Sequence, residues 1–151
     1  MGYYDSVEIS SSGLSAERLA MDVIANNIAN ANTTRTPQGG AFKRQLVVFA
    51  QKPGNPDPNA DGDPFDPTAP VAPSVEGVQV LGIQDDQTPD RLVYDPSNPE
   101  ADQTGYVHYP NVEIVKEMVD LMAASRAYQA NVAAITAAQN MGNSDLSILK
   151  S

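Results

Sequence analysis

The side chains able to do chemistry are few. His108 is the single imidazole in 151 residues and cysteine is absent, so a Ser-His-Asp set would have to use His108 and no thiol nucleophile, disulfide framework or zinc-finger-type site can form. His108 stands in an aromatic stretch with Tyr106 and Tyr109, which suits a structural, strand-facing histidine, and no nucleophile-elbow or oxyanion-loop glycine pattern accompanies it. The glycines form no phosphate-binding loop either. Asp57-Pro58-Asn59-Ala60-Asp61-Gly62-Asp63 opens like a calcium-binding EF-hand loop, with alternating oxygen ligands and a turn-forming glycine. The match then fails, because Thr68 stands where the bidentate Glu belongs and Pro58 and Pro64 stiffen the loop. Neither catalysis nor a metal or other cofactor is expected.

Charge and proline divide the chain that carries these residues in the same places. Nineteen Asp and Glu outweigh nine Lys and Arg, for a formal charge of −10. That balance disfavours nucleic acid or an anionic membrane as partner. Residues 1–52 sum to +1, residues 53–105 to −10 and residues 106–151 to −1. Eleven of the twelve prolines lie between Pro53 and Pro110, and proline breaks helices by removing a donor and clashing with the preceding turn. The expected fold is therefore mainly α: an N-terminal helical region at 1–36, a small β-rich middle at 37–110 with an exposed Pro/Asp loop at 51–74, and a C-terminal helical region at 111–151. No run approaches the roughly 20 apolar residues of a membrane span, so no direct membrane insertion is expected. The first basic residue is Arg18 and polar residues break every apolar run, unlike a cleavable secretory signal.

Both ends carry helical periodicity. Val7, Leu14, Met21 and Ile28 recur every seven residues with Ile24 on the same stripe; Ile114, Leu121, Tyr128 and Ile135 do the same, joined by Met118 and Val132. Two seams of equal length predict long terminal helices paired as a coiled coil. Asn111 is a good N-cap for the second helix and Gly142 suits its C′ position; Gly13 weakens the first, which starts near Tyr4 or only near Leu14. In the first turns of the second helix Val112, Ile114, Val115, Met118, Val119, Leu121 and Met122 point nearly all round, more than one partner helix covers. Ala127–Ser144 and Val23–Thr34 carry no charge but many amides. An uncharged amide-bearing surface suits contact with other subunits, at Asn26, Asn27, Asn30, Gln129 and Asn131. In the middle, Phe42–Phe49 alternates, with Leu46 and Val48 on one face and Lys43 and Gln45 on the other; Val75–Ile83, Arg91–Tyr94 and Tyr106–Tyr109 are further strand candidates.

Specific motifs lie on these elements. Ser12-Gly13-Leu14-Ser15-Ala16-Glu17-Arg18-Leu19, Ala25-Asn26-Asn27-Ile28-Ala29-Asn30-Ala31-Asn32-Thr33 and Ala41-Phe42-Lys43-Arg44, with Asn111–Asp120 and Ser125–Asn131 at the other end, resemble the paired terminal motifs of the bacterial flagellar rod and hook family. Leu92–Pro99, Gly105-Tyr106-Val107 and Tyr109–Val112, with the short chain, are similar to its proximal-rod members. The resemblance implies a structural subunit of the flagellar basal body, exported by the flagellar type III apparatus, whose terminal helices pack with copies of itself and other rod proteins. Such subunits build a hollow shaft that crosses the periplasm and transmits torque. Apart from that resemblance, the same residues also admit a soluble module that captures a basic partner with its acidic middle and uses the helices as a stalk.

Overall fold

The computed structural model describes residues 3–53 and 75–149. Most of the expected Pro/Asp loop, and the EF-hand-like stretch within it, lie outside the described residues. Six elements follow in order: helix α1 (Tyr3–Ala29), strands β1 (Gln45–Pro53), β2 (Val75–Asp85), β3 (Arg91–Tyr94) and β4 (Tyr106–Tyr109), and helix α2 (Ile114–Leu149). Strands β1 and β2 form one two-stranded sheet, β3 and β4 another. Among the described residues one compact unit comprises 3–16, 49–53, 75–81 and 128–149, and a second comprises 17–48 and 82–127.

The boundaries that differ from expectation have local causes. Strand β1 starts at Gln45, not Phe42, because two preceding donors are committed elsewhere: Phe42 N–H to the Thr33 carbonyl and Arg44 N–H to Asn111 Oδ1. Its faces are not the simple alternation expected, since Gln45 and Val48 are half-buried while Leu46 and Phe49 are exposed. Asn111 does not cap α2: besides accepting from Arg44 it donates to the Thr88 carbonyl and hydroxyl, and the helix begins three residues later. Gly142 does not end α2 either. The helix continues to Leu149 through it, without a positive φ; a glycine in a helix interior costs only about 1 kcal/mol and no proline follows. Helix α1 begins at Tyr3, runs through Gly13 and ends at Ala29.

In the second unit β3 and β4 pair antiparallel, Arg91 opposite Tyr109 and Tyr94 opposite Tyr106. The two tyrosine rings meet edge to face at 5.2 Å and Arg91 lies 5.3 Å from the centre of the Tyr109 ring, contacts each worth about 1 kcal/mol. The connection between the strands folds on its own side chains. Asp95, Asn98 and Asp102 each accept an N–H from two residues ahead, and Gly105 supplies the positive φ, +85°, with which the chain re-enters β4.

The buried apolar residues are mostly small: Ala16, Ala20, Val23, Ala31, Ala41, Val107, Ala124 and Ala138. Along α1 the buried positions Ala16, Ala20, Val23 and Asn27 are spaced four, three and four apart. Along α2 the covered positions Glu117, Leu121, Ala124, Tyr128, Asn131, Ile135 and Ala138 follow the same spacing, which keeps one stripe of a helix on one side.

Candidate assembly surface

Asn27 is where the N-terminal motif does most of its work. Wholly enclosed in the second unit, its side chain treats Gln45 as a strand would: Oδ1 accepts from Gln45 N–H at 2.9 Å and Nδ2 donates to the Gln45 carbonyl at 2.8 Å. The remaining Nδ2 hydrogen goes to Glu117 Oε2 at 3.0 Å. Glu117 is also fully buried, and its other oxygen takes the Arg44 Nε–H at 2.5 Å. Arg44 further faces Asp120 at 3.4 Å and Asp86 at 3.6 Å. One amide, one carboxylate and one guanidinium thus tie α1, the start of β1 and α2 together. No buried side-chain polar atom lacks a partner among the described residues, as an interior charge requires.

The first unit has its own contacts. Ser12 Oγ donates to the Ile9 carbonyl and accepts from Val78 N–H at 3.0 Å, fastening β2 to α1 beside Gly77. A side chain at Gly77 would run into Ser12, and its φ of +112° suits glycine alone. Gly13 lets α2 come close: a methyl there would sit 2.8 Å from Asn131 Nδ2. Lys52 meets Glu8 at 3.1 Å and Glu76 at 3.8 Å, and the Glu8 hydrogen bond and charge hold its ammonium above the ordinary lysine value.

The sequence-predicted residues fall on two sides of these contacts. Leu121, Tyr128 and Ile135 lie half-buried on the covered stripe of α2. Leu14, Met21, Ile24 and Ile28 each follow by one residue a position of the spacing that Gly13, Ala20, Val23 and Asn27 mark, which is about 100° round the helix; they and Val7 are half-buried. Ile114, Met118 and Val132 are exposed, as are Val115, Val119 and Met122. The first turns of α2 therefore present a continuous apolar face opposite Glu117. Of the amides, Asn26 and Gln129 are exposed, with Asn26 donating to the Gln45 side chain; Asn30 donates to Asn26, Asn131 lies against Gly13 and Asn27 is internal.

Sequence reasoning missed Glu117 and Arg44 as a pair and Ser12 as a strand anchor. One signal was available: in the series Glu117, Ala124, Asn131, Ala138 a lone charge stands on a seven-residue stripe of small or neutral side chains. His108 lies exposed, its Nδ1 3.7 Å from Asp90 and its Nε2 4.0 Å from Asp102, so its neighbours are acids. A cleft of about 490 Å³ beside it includes Arg35, Asp90, Glu100 and His108 in its lining. No cluster of potential metal ligands and no helix long and apolar enough to cross a membrane occurs among the described residues.

Two family models match the chain at the helices just described. The flagella basal body rod protein model covers residues 8–35, and the C-terminal model of flagellar basal body rod FlgEFG proteins covers residues 103–148. The chain is 44% identical to the flagellar basal-body rod protein FlgC of Borreliella burgdorferi over 99% of both chains. It is 36% identical to FlgC of Salmonella typhimurium over 93% of each, and 37% identical to FlgC of Bacillus subtilis over 93% of this chain and 94% of the relative.

Proposed function

The chain belongs to the FlgC family of flagellar basal-body rod proteins and is a structural subunit of the rod, not an enzyme; we propose that it assembles there by packing its terminal helices against each other and against those of neighbouring subunits. Within the chain α1 and α2 pair as an antiparallel coiled coil. The support is that Asn27 meets Glu117 in one unit and Gly13 meets Asn131 in the other: fourteen residues back along α1 correspond to fourteen onward along α2. The seam is lined by Ala20, Val23, Ala124 and Ala138 with Leu121, Tyr128 and Ile135, while Val7, Leu14, Met21, Ile24 and Ile28 flank it.

The single observation that carries the assembly reading is the apolar face of α2 formed by Ile114, Val115, Met118, Val119 and Met122, of which Val115 is 69% exposed. Apolar surface left in water on this scale marks a protein contact. Neighbouring rod subunits cover it, with the exposed amides Asn26 and Gln129 beside the contact. The proximal rod crossing the periplasm is the place this reading gives the chain, reached through the flagellar type III export apparatus, and torque passes through the packed helices without any reaction. The test is Val119→Lys with Met122→Lys in the full chain of a motile cell. Both sites are exposed, so helix content of the purified chain stays unchanged while basal bodies lack rods and swimming stops. Normal rods and motility in that variant would overturn the reading.

A further inference from the structure

We infer that the buried Asn27–Glu117–Arg44 contact sets the register of α1 against α2, a task distinct from adding stability. The inference rests on the helix pairing proposed above and concerns what holds that pairing in one alignment.

Around the contact the apolar part of the seam repeats every seven residues: Leu121, Tyr128 and Ile135 stand seven apart, and Ala124 and Ala138 two such repeats apart. Ala20 and Val23 on α1 and Ala124 on α2 are buried and apolar, and side chains that repeat every seven residues fit almost equally well after a shift of seven. Within the second unit, what distinguishes the alignments is the carboxylate. In the observed one Glu117 Oε2 receives the Asn27 amide at 3.0 Å and Oε1 the Arg44 Nε at 2.5 Å, with the Arg44 guanidinium also facing Asp86 and Asp120. Shift α2 by one heptad towards its C-terminus and Ala20, a methyl group, stands opposite Glu117. Asn27, held to the Gln45 backbone, then points its spare N–H towards the residues before α2. The charge remains buried without its amide donor, the state that buried ions tolerate least. Because Asn27 also fixes Gln45, the same contact sets where β1 begins relative to both helices.

A buried ion pair roughly breaks even against well-packed apolar residues of like volume, whereas a single polar group on a coiled-coil seam commonly selects one register. The pair Arg44→Met with Glu117→Leu should therefore keep the helices paired and lose the selection. The chain has no cysteine, so disulfides placed across the seam report the register directly. Val23→Cys with Leu121→Cys, each four residues from the Asn27–Glu117 contact, reports the observed alignment; Val23→Cys with Ile114→Cys reports the alignment shifted by seven.

The experiment is oxidation of both cysteine pairs in the full chain, with and without Arg44→Met and Glu117→Leu, read by the fraction cross-linked within single chains. In the parent background the first pair should exceed the second by a factor of about ten or more, the discrimination that stranding a buried charge supplies. In the Met/Leu background, with helix content unchanged, the two should come within about twofold, as expected of a seam whose apolar side chains repeat every seven residues. A Met/Leu chain that still cross-links only through the first pair would overturn the inference. So would one that unfolds, since the contact would then be a stability element. If neither pair cross-links in the parent, the helix pairing itself fails, which separates failure of the earlier reading from failure of this one.

Discussion

Glu117 and Asp102 are both carboxylates supplied with several hydrogen-bond donors, and they hold together different things. Glu117 is fully buried, and its donors come from Asn27 and Arg44, 90 and 73 residues away in the chain. The side chain of Asp102 is 40% exposed, and its donors are the N–H and hydroxyl of Thr104 and the N–H of Tyr106. Water can replace every partner of Asp102 and none of Glu117's. A local acceptor shapes its own turn; an interior one joins elements that otherwise share only small apolar contacts. The cost of removing a partner should differ accordingly.

Asn27→Leu attacks the buried side of that contrast and should have the largest effect. It strands the Gln45 N–H and carbonyl and leaves one oxygen of a buried carboxylate without a donor, a loss of about 3–5 kcal/mol. Urea unfolding of the full chain measures it through the midpoint at unchanged slope. A loss below about 1 kcal/mol would put Glu117 in the same class as Asp102. Next comes Gly77→Ala, which tests whether the Ser12 contact, 66 residues long in sequence, behaves like the interior kind. The positive φ and the clash with Ser12 together should cost about 1–3 kcal/mol. Gly13→Ala sharpens the same point by contrast. The added methyl meets only the tip of the Asn131 side chain, which can move, and alanine regains about 1 kcal/mol of helix propensity. Its unfolding midpoint should shift little, and a large loss would show that Asn131 is as rigidly held as Glu117.

The same division decides what was legible in the sequence. Strands β3 and β4 stand at Arg91–Tyr94 and Tyr106–Tyr109, where the sequence offers strand candidates, while their pairing with each other emerges only in the fold. The long terminal helices were legible from their seven-residue periodicity and lack of proline. The covered stripe of α1 was not read from large side chains, because the residues that go inside are Ala16, Ala20, Val23 and Asn27, and alanine carries little hydrophobic signal. Asn111 illustrates the limit on local rules: it has the ideal type and place for an N-cap, yet Arg44 and Thr88, far away in sequence, claim its side chain. By position alone Glu117 is an acid in the first turn of α2, the type that favours the positive end of a helix dipole. Only the fold shows that its two oxygens are shared between α1 and the entry to β1, and no periodicity encodes a partner ninety residues away.

The smallest effect belongs to Asp102 and tests the exposed side of the contrast. The Thr104 hydroxyl first, then the Tyr106 N–H, hold its carboxyl below the ordinary value of 3.8. A carboxyl whose folded value is depressed adds stability that is complete above the unfolded value and disappears as pH falls through the folded one. Its contribution is therefore fully present at neutral pH and lost only in acid, below about the 3.8 of the free side chain. Thr104→Val removes the hydroxyl while keeping the N–H, so the NMR titration midpoint of the Asp102 carboxyl should rise towards 3.8 and the unfolding midpoint at neutral pH should barely move. The exposed carboxylate loses a donor and water takes its place. Should Thr104→Val instead unfold the chain at neutral pH as Asn27→Leu is expected to, burial would not be what separates the two carboxylates, and the short span between Asp102 and its donors would carry structural weight of its own.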